Sequence, residues 1–537
     1  MAEGGGQRVL LVGVWGLPAS WRRVVYKPVL PPEPSGRWRA WRPDEWAEYG
    51  GWVESHSTIV AEAWALHSGG FEVSLLVFVA DSLASPGGED KTGCPDAKEI
   101  SQGVKSASVG EPPESYKALV GRAGKLGEAY LECFLGEVFG EEAPGARLVV
   151  VPSSAAYRVR DDNRSISYYY RSEPSTARAL MEYALLEALD NLRPDLVILD
   201  TSHGVNYFPL LAREALSRAV RVYAALRGGR VYYSVVNSDP VQAEGEESRI
   251  HVIEAGMVEL GPLEALVEFY AGHARADRIR VFRSLTGGKP PVQALKLNKA
   301  AEEFRQRYAP LVGSLRLSYH YGFPLYIAAK LNGLDVEEAR RWNTEYERLL
   351  AEALGAGRDP YQPRIKVDRD KGQVVVEWDY TLLPPALDTL YATRLLEKLA
   401  GESRGLLEAE AVEGITFYPL SRLQEMAEKF GVSIVGLTML KSELNDIRGK
   451  VESFEAKCGR LAKPAAYDSL LSALEGGCND AYTVSECRES IVNRRNFYAH
   501  AGMERHTILV ARRGGDVQVA YRPECVGVVE KLLAEGG

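Results

Sequence analysis

The stretch Asp195–Pro209, DLVILDTSHGVNYFP, decides how the first half of the chain is read. Leu196–Leu199 are four aliphatic residues in a row, which suits a strand buried on both faces rather than one with a wet side. Asp200 closes the run, and a short polar loop follows. Thr201, Ser202, His203 and Asn206 offer hydroxyl, imidazole and amide groups there. Gly204 lets backbone approach a ligand closely. A helix begins next, and its free N–H groups favour phosphate. Ligands of open α/β sheets lie beyond the carboxyl ends of the strands. The same residues also suit an ordinary strand–helix turn with local capping, and many α/β proteins carry one.

Outward from this stretch, strands are predicted at Arg8–Val14, Glu72–Ala80, Arg147–Val151, Arg221–Ala225, Val231–Val236 and Arg249–Glu254. Helices are predicted at Glu54–Ser68, Ser115–Phe139 and Thr176–Asn191, and Ala84–Pro113, rich in Gly, Pro and Ser, reads as a surface insertion. Apolar strands separated by helices make a mainly parallel sheet covered on both faces, so residues 1–258 are expected to be Rossmann-like α/β. Beyond residue 258 helical periodicity takes over, at Leu263–Ala271, Ala300–Arg307, Val336–Leu354, Ala386–Leu399, Leu420–Phe430 and Ser433–Ser453. Two hairpins interrupt it. Arg364–Val367 faces Gln373–Trp378 across Asp370-Lys371-Gly372, and Thr507–Ala511 faces Asp516–Tyr521. Residues 259–300 read as a helical linker and 301–537 as a mainly helical region with small β additions.

The bulk numbers agree with a multidomain globular protein. At ~150 residues per domain, 537 residues make about three domain-sized units. A net charge of -9 argues against a chain that coats nucleic acid non-specifically, though not against a local basic site. Six cysteines, Cys94, Cys133, Cys458, Cys478, Cys487 and Cys525, show neither CxxC nor zinc-ligand spacing. They are expected to be free thiols or core residues in a reducing compartment, with Cys478–Cys487 the one disulfide considered. The N-terminal apolar run is too short to span a membrane and lacks a cleavage pattern, so a cytoplasmic location is expected, with no metal, no cofactor and no membrane partner.

The strongest chemical signal is Arg494-Arg495-Asn496-Phe497-Tyr498-Ala499-His500-Ala501-Gly502. RNA cleavage by attack of the 2′-hydroxyl needs a proton acceptor, a proton donor and a cation for the charged phosphorane. Histidine moves protons near neutral pH, and arginine offers a fixed fork to phosphoryl oxygens. Asn496 and His500, four apart, share a helix face. Arg495 and His500 would diverge by roughly 140° on a straight helix, which points to a cleft completed by a second copy. The bland alternative is a solvated Arg and His at a helix end.

These motifs carry a family resemblance. Arg495–Gly502 (RNFYAHAG) resembles the HEPN ribonuclease motif, Arg-polar-x-x-x-His. Asp200–Asn206 resembles the Asp-x-Thr-His-Gly-x-Asn pattern of CARF domains in archaeal CARF–HEPN proteins, with Ser202 where that pattern has threonine. Gly13-Val14-Trp15-Gly16-Leu17-Pro18 and Asn237-Ser238-Asp239-Pro240 are similar to further ligand loops of that family.

The resemblance implies a CRISPR-linked endoribonuclease in which a cyclic oligoadenylate, cyclic tetra-adenylate foremost, binds the sensor and switches on metal-independent cleavage of single-stranded RNA in a homodimer or a higher assembly of dimers. It implies catalysis by Arg495, Asn496 and His500, with Arg494 outside the strict motif. It implies ligand contacts from Gly13, Trp15, Gly16, Trp21, Ser153, Thr201, Ser202, His203, Gly204, Asn206 and Asn237. Alternatives are a ligand-sensing regulator of transcription or assembly without nuclease activity, and a HEPN toxin; slow self-cleavage of the ligand, assisted by His203 or Ser202, is a further possibility. Seven of nine tryptophans precede residue 65. Trp21-Arg22-Arg23 and Arg37–Arg42 mix aromatics with cations, which suits stacked bases and phosphates and equally a packed surface loop; the loop reading is preferred except at Trp15 and Trp21. Tyr319-His320-Tyr321 reads as helix packing.

Overall fold

The computed structural model describes residues 7–32, 42–85, 90–161, 164–205, 207–407, 409–482, 487 and 492–535. Asn206, and Trp38 and Trp41 of the Arg–Trp loop, lie outside the described residues. The chain forms two compact units. One comprises residues 1–259, 280–298 and 348–387, and the other 260–279, 299–347 and 388–537.

The first unit is built on an eight-stranded sheet. Its order is Val53–Ser55, Val24–Lys27, Glu247–Val258, Val231–Ser238, Leu196–Asp200, Arg8–Trp15, Glu72–Ala80 and Gly145–Val151. The last five of these run parallel. Glu247–Val258 returns antiparallel along Val231–Ser238, with a bulge between Val235 and Val236. Leu196–Leu199 are fully enclosed, as an aliphatic run with helices on both faces must be. From Arg8–Trp15 the chain builds outward one way, through Glu72–Ala80 to Gly145–Val151. It then returns to the other side of Arg8–Trp15 with Leu196–Asp200 and Val231–Ser238. The first strand and Leu196–Asp200 therefore flank the point where strand order reverses, where α/β sheets leave a crevice.

Three expectations for this unit need correcting. Arg221–Ala225 is not a strand: it lies inside the helix Phe208–Arg227. Its apolar residues continue the buried stripe of Ala212, Ala215, Leu216 and Ala219, and a run of only four such residues cannot show by itself which period it belongs to. Ala84–Pro113 is more than an irregular insertion, because Pro95–Gly110 is a helix with Ala97, Ser101, Val104 and Ser108 buried. Cys94 and Cys133 are joined in a disulfide rather than free. A further sheet went unread from sequence: Ala155–Asp161 and Arg164–Arg171 pair, and the expected hairpin of Arg364–Asp368 and Gln373–Glu377 adds to them.

The second unit is mainly helical, with Pro262–Ala274, Pro324–Asn332, Leu420–Phe430, Ile434–Cys458, Tyr467–Glu475 and Val526–Glu535. A five-stranded sheet contains the predicted late hairpin, here Ile508–Arg513 with Asp516–Tyr521. Two disulfides, Cys458–Cys478 and Cys487–Cys525, correct both the free-thiol reading and the Cys478–Cys487 pairing. Spacing along the chain carries no record of which Cβ atoms packing brings together. Among the described residues no helix is long and apolar enough to cross a membrane.

Candidate functional sites

Two sites emerge, one in each unit. The first is a cavity of about 660 Å³ at the carboxyl ends of the strands Arg8–Trp15, Leu196–Asp200 and Val231–Ser238. Trp21, Arg22, Tyr26, Ser202, His203, Asn237 and Asp239 are among the residues lining it.

Its floor is a hydrogen-bonded frame around Asp200, itself buried at the strand end. Asp200 Oδ1 accepts from the Ser202 amide at 2.9 Å and the Ser202 hydroxyl at 2.6 Å, and Oδ2 accepts from the Thr58 hydroxyl. The Ser202 hydroxyl in turn accepts from the Ser238 amide at 2.9 Å. Thr201 donates through both its amide and its hydroxyl to the Val236 carbonyl, beside the bulge. These bonds hold the second and third loops together. The first loop is fastened by the Gly16 amide, which donates to the His203 carbonyl at 2.9 Å. A Cβ on Gly16 would sit 2.4 Å from Val205 Cγ1, so only glycine permits that approach.

His203 is the centre of the pocket. Its ring stacks on Trp21, with centroids 4.0 Å apart, and Trp21 is backed by Trp15 and Phe134. His203 Nε2 accepts from the Thr58 amide at 3.2 Å. Burial pushes the imidazole down to about 4, with Asp200 opposing and His56 reinforcing the shift, so His203 is neutral at physiological pH and carries its proton on Nδ1.

The remaining residues expected at the ligand divide by position. Trp21, Ser202, His203 and Asn237 line the cavity. Thr201 belongs to its frame. Trp15 is wholly buried behind Trp21. Gly13 packs under Ile59, and Gly204 under Pro209. Ser153 turns inward, giving both its amide and its hydroxyl to Asp81 at 2.9 and 2.6 Å. Tyr26, Arg22 and Asp239 were not read as site residues from sequence. Arg22 stood in a Trp-Arg-Arg triplet that mixed an aromatic with cations. Tyr26 reaches the pocket only through sheet pairing, whereas Asp239 stands in the loop Asn237–Pro240 already quoted from the sequence.

The second site surrounds the short helix Arg494–Ala499. Asn493 caps it by accepting from the Asn496 amide, and the helix ends at His500. Phe497 is fully buried among Leu317, Phe323, Val529 and Leu533, so the two flanking turns are held from below. Arg495, Asn496 and His500 are exposed. Ala501 and Gly502 both take positive φ, at 50° and 74°, and reverse the chain just beyond the histidine. The geometry therefore departs from a straight helix exactly where spacing alone had to assume one: His500 sits on the helix terminus and its ring turns to Glu443. Nδ1 lies 2.9 Å from Glu443 Oε2, which leaves Nε2 to face outward.

Glu443 was missed in the sequence, although a signal existed. The buried face of Ile434–Cys458 runs Gly436, Leu440, Glu443, Leu444, Ile447, Val451, Phe454, and Glu443 is the one charged residue on it. Burial raises its carboxyl above the usual range, and His500 opposes the shift. A second enclosed carboxyl, Glu504, is likewise raised by burial.

Comparison with known families adds two matches. Residues 10–240 match the model for the CARF domain of the CRISPR system endoribonuclease Csx1, and residues 436–523 match the model for that endoribonuclease's HEPN domain. No curated protein matches the chain. The first span contains all of the pocket lining but Val241 and Gln242, and the second contains Glu443 together with Arg495, Asn496 and His500.

Proposed function

The chain belongs to the CARF–HEPN family of CRISPR ribonucleases, and we propose that it cuts single-stranded RNA without a metal ion when a cyclic oligoadenylate, cyclic tetra-adenylate foremost, fills the sensor pocket. The observation that carries this reading is the exposed set Arg495, Asn496 and His500 around the anchored Phe497. An imidazole, a fixed cation and an amide at one helix end supply one of the two proton-transfer groups and the charge stabilisation that transesterification needs. The 2′-oxygen attacks phosphorus, and its proton passes to a base. The bond from phosphorus to the 5′-oxygen breaks, and that oxygen takes a proton from an acid. The products are a 2′,3′-cyclic phosphate and a 5′-hydroxyl.

One chain supplies one motif histidine. We assign the second proton-transfer group to the His500 of another copy, so the active unit is at least a homodimer. The pocket supports the ligand class: Trp21 offers an aromatic face, Arg22 a cation, and Ser202 and Asn237 neutral polar groups. Self-cleavage of the ligand is not part of the proposal. His203 Nε2 already accepts from Thr58, and the Ser202 hydroxyl is engaged on both sides, so neither is poised as base or nucleophile.

The test is cleavage of a labelled single-stranded RNA in EDTA, with cyclic tetra-adenylate, with cyclic hexa-adenylate and with neither. Strong stimulation by one of the two rings is expected. Cleavage that needs an added divalent ion, or that ignores both rings, overturns the reading.

A further inference from the structure

The buried carboxylate behind His500 has no structural reason to be there. The other buried positions along its helix face are held by Gly436, Leu440, Leu444, Ile447, Val451 and Phe454, and Glu443 is only 8% exposed among them. Burying a carboxylate is costly unless it is well compensated, and replacing such groups by apolar residues is often neutral or stabilising. Among the described residues Glu443 has one hydrogen-bond partner, the Nδ1 of His500. Among the described residues no further cation pairs with it. Asp446 lies near enough to raise its carboxyl further, and Tyr467 interacts with both Asp446 and Glu443. On the other side Glu504 faces His500 and His506, and His506 is bonded to Asp468.

We infer that Glu443 is a positioning residue of the nuclease site, which fixes the ring and tautomer of His500 so that Nε2 meets the RNA. The backbone is arranged for the same end. The helix stops at His500, and the positive-φ pair Ala501–Gly502 turns the chain away, so the imidazole leans back on the helix carrying Glu443. A carboxylate that accepts from Nδ1–H leaves the lone pair on Nε2, the form a base requires, and stabilises the imidazolium that forms once the proton is taken. When the same ring serves as acid, the bond holds Nε2–H on the departing oxygen. Glu443 touches neither RNA nor the reacting atoms.

The inference rests on the reading that this site cuts RNA, and the experiment separates the two. Glu443→Leu, which suits the apolar face, Glu443→Gln and Glu443→Asp are compared with the parent chain. For Leu and Gln we expect kcat to fall by about 10–100-fold, as for other residues that orient a reacting group, with KM changed less than about threefold. Asp should restore part of the loss, and Glu443→Leu should melt no lower than the parent. In parallel, ¹⁵N spectra of ring-labelled histidine at alkaline pH should show Nδ1–H for His500 in the parent and a shift toward Nε2–H, the form free imidazole favours, in Glu443→Leu. Wild-type kcat in Glu443→Leu, or an unchanged His500 tautomer, overturns the inference. If the parent chain cuts no RNA, the cleavage reading fails, and the spectra still decide whether Glu443 sets the tautomer.

Discussion

Nε2 of His500 is the ring nitrogen left for substrate once Nδ1 is bound to Glu443. His500→Ala should lower RNA cleavage by ~10²–10⁴-fold, the usual loss for a proton-transfer group. Because the side chain is exposed, the melting temperature should hold; near-parental turnover would remove His500 from the mechanism. In the sensor, Trp21→Ala deletes an aromatic face that already stacks on a ring. Stacking a base is worth ~1–3 kcal/mol, so the activator concentration for half-maximal cleavage should rise by about 5–150-fold. An unchanged activation curve would place the base elsewhere. Glu62 gives a pH prediction. It lies fully buried near Asp200 and beside the Val29 amide, and burial pushes its carboxyl up to about 8. A carboxyl raised on folding stabilises the native state below its unfolded range, near 4–5, and this contribution is lost as pH climbs through 8. Glu62→Gln mimics the protonated form, so melting curves at pH 5 and pH 8 should lie closer together in the variant than in the parent. An equal gap in both would mean that the carboxyl is not the source. The proposed trio of Arg495, Asn496 and His500 stood out in the sequence because its spacing is local. Glu443 did not, because its partner lies 57 positions away.

Elements carry these residues through backbone features that substitutions can break. Gly502 has φ 74°, and a Cβ there would sit 2.9 Å from Phe323 Cγ. Gly502→Ala forces a left-handed conformation on a residue with a side chain, at roughly 1–2 kcal/mol, and adds a clash with the ring that anchors Phe497. The expected result is a lower melting temperature and reduced cleavage with activator binding unchanged; a fully active variant would show that the turn after His500 is not critical. Legibility followed periodicity. Leu420–Phe430 was predicted to the residue, because its apolar side is sharply separated from its charged side. Arg221–Ala225 was misread, because a Val-Tyr pair followed by two alanines holds too little of either period. The helix Pro95–Gly110 was hidden by Gly, Ser and Pro, and its identity comes from packing on Tyr116–Phe139 and from the Cys94–Cys133 bridge.

At the scale of the molecule, the proposal requires two copies. An excess of His500→Ala chain added to the parent chain should suppress cleavage by drawing the parent into mixed dimers, since a mixed cleft keeps only one of the two histidines. Mass in solution should correspond to a dimer or a multiple of it. A fully active monomer would refute the shared cleft. The sequence by itself determined the α/β character of the first 258 residues, the helical character of the remainder, the strand-end loop that begins at Thr201 and the spacing of Arg495 and His500. Each of these is written in a run of neighbouring residues, as a period, a turn or a spacing. Only the tertiary structure decided that Trp21, Tyr26, His203 and Asn237 share one cavity, that six cysteines form three bridges, and that a glutamate from another helix binds Nδ1 of His500. Those facts depend on which distant segments burial drives together. Burial is a property of the whole packed chain, with no counterpart in local spacing.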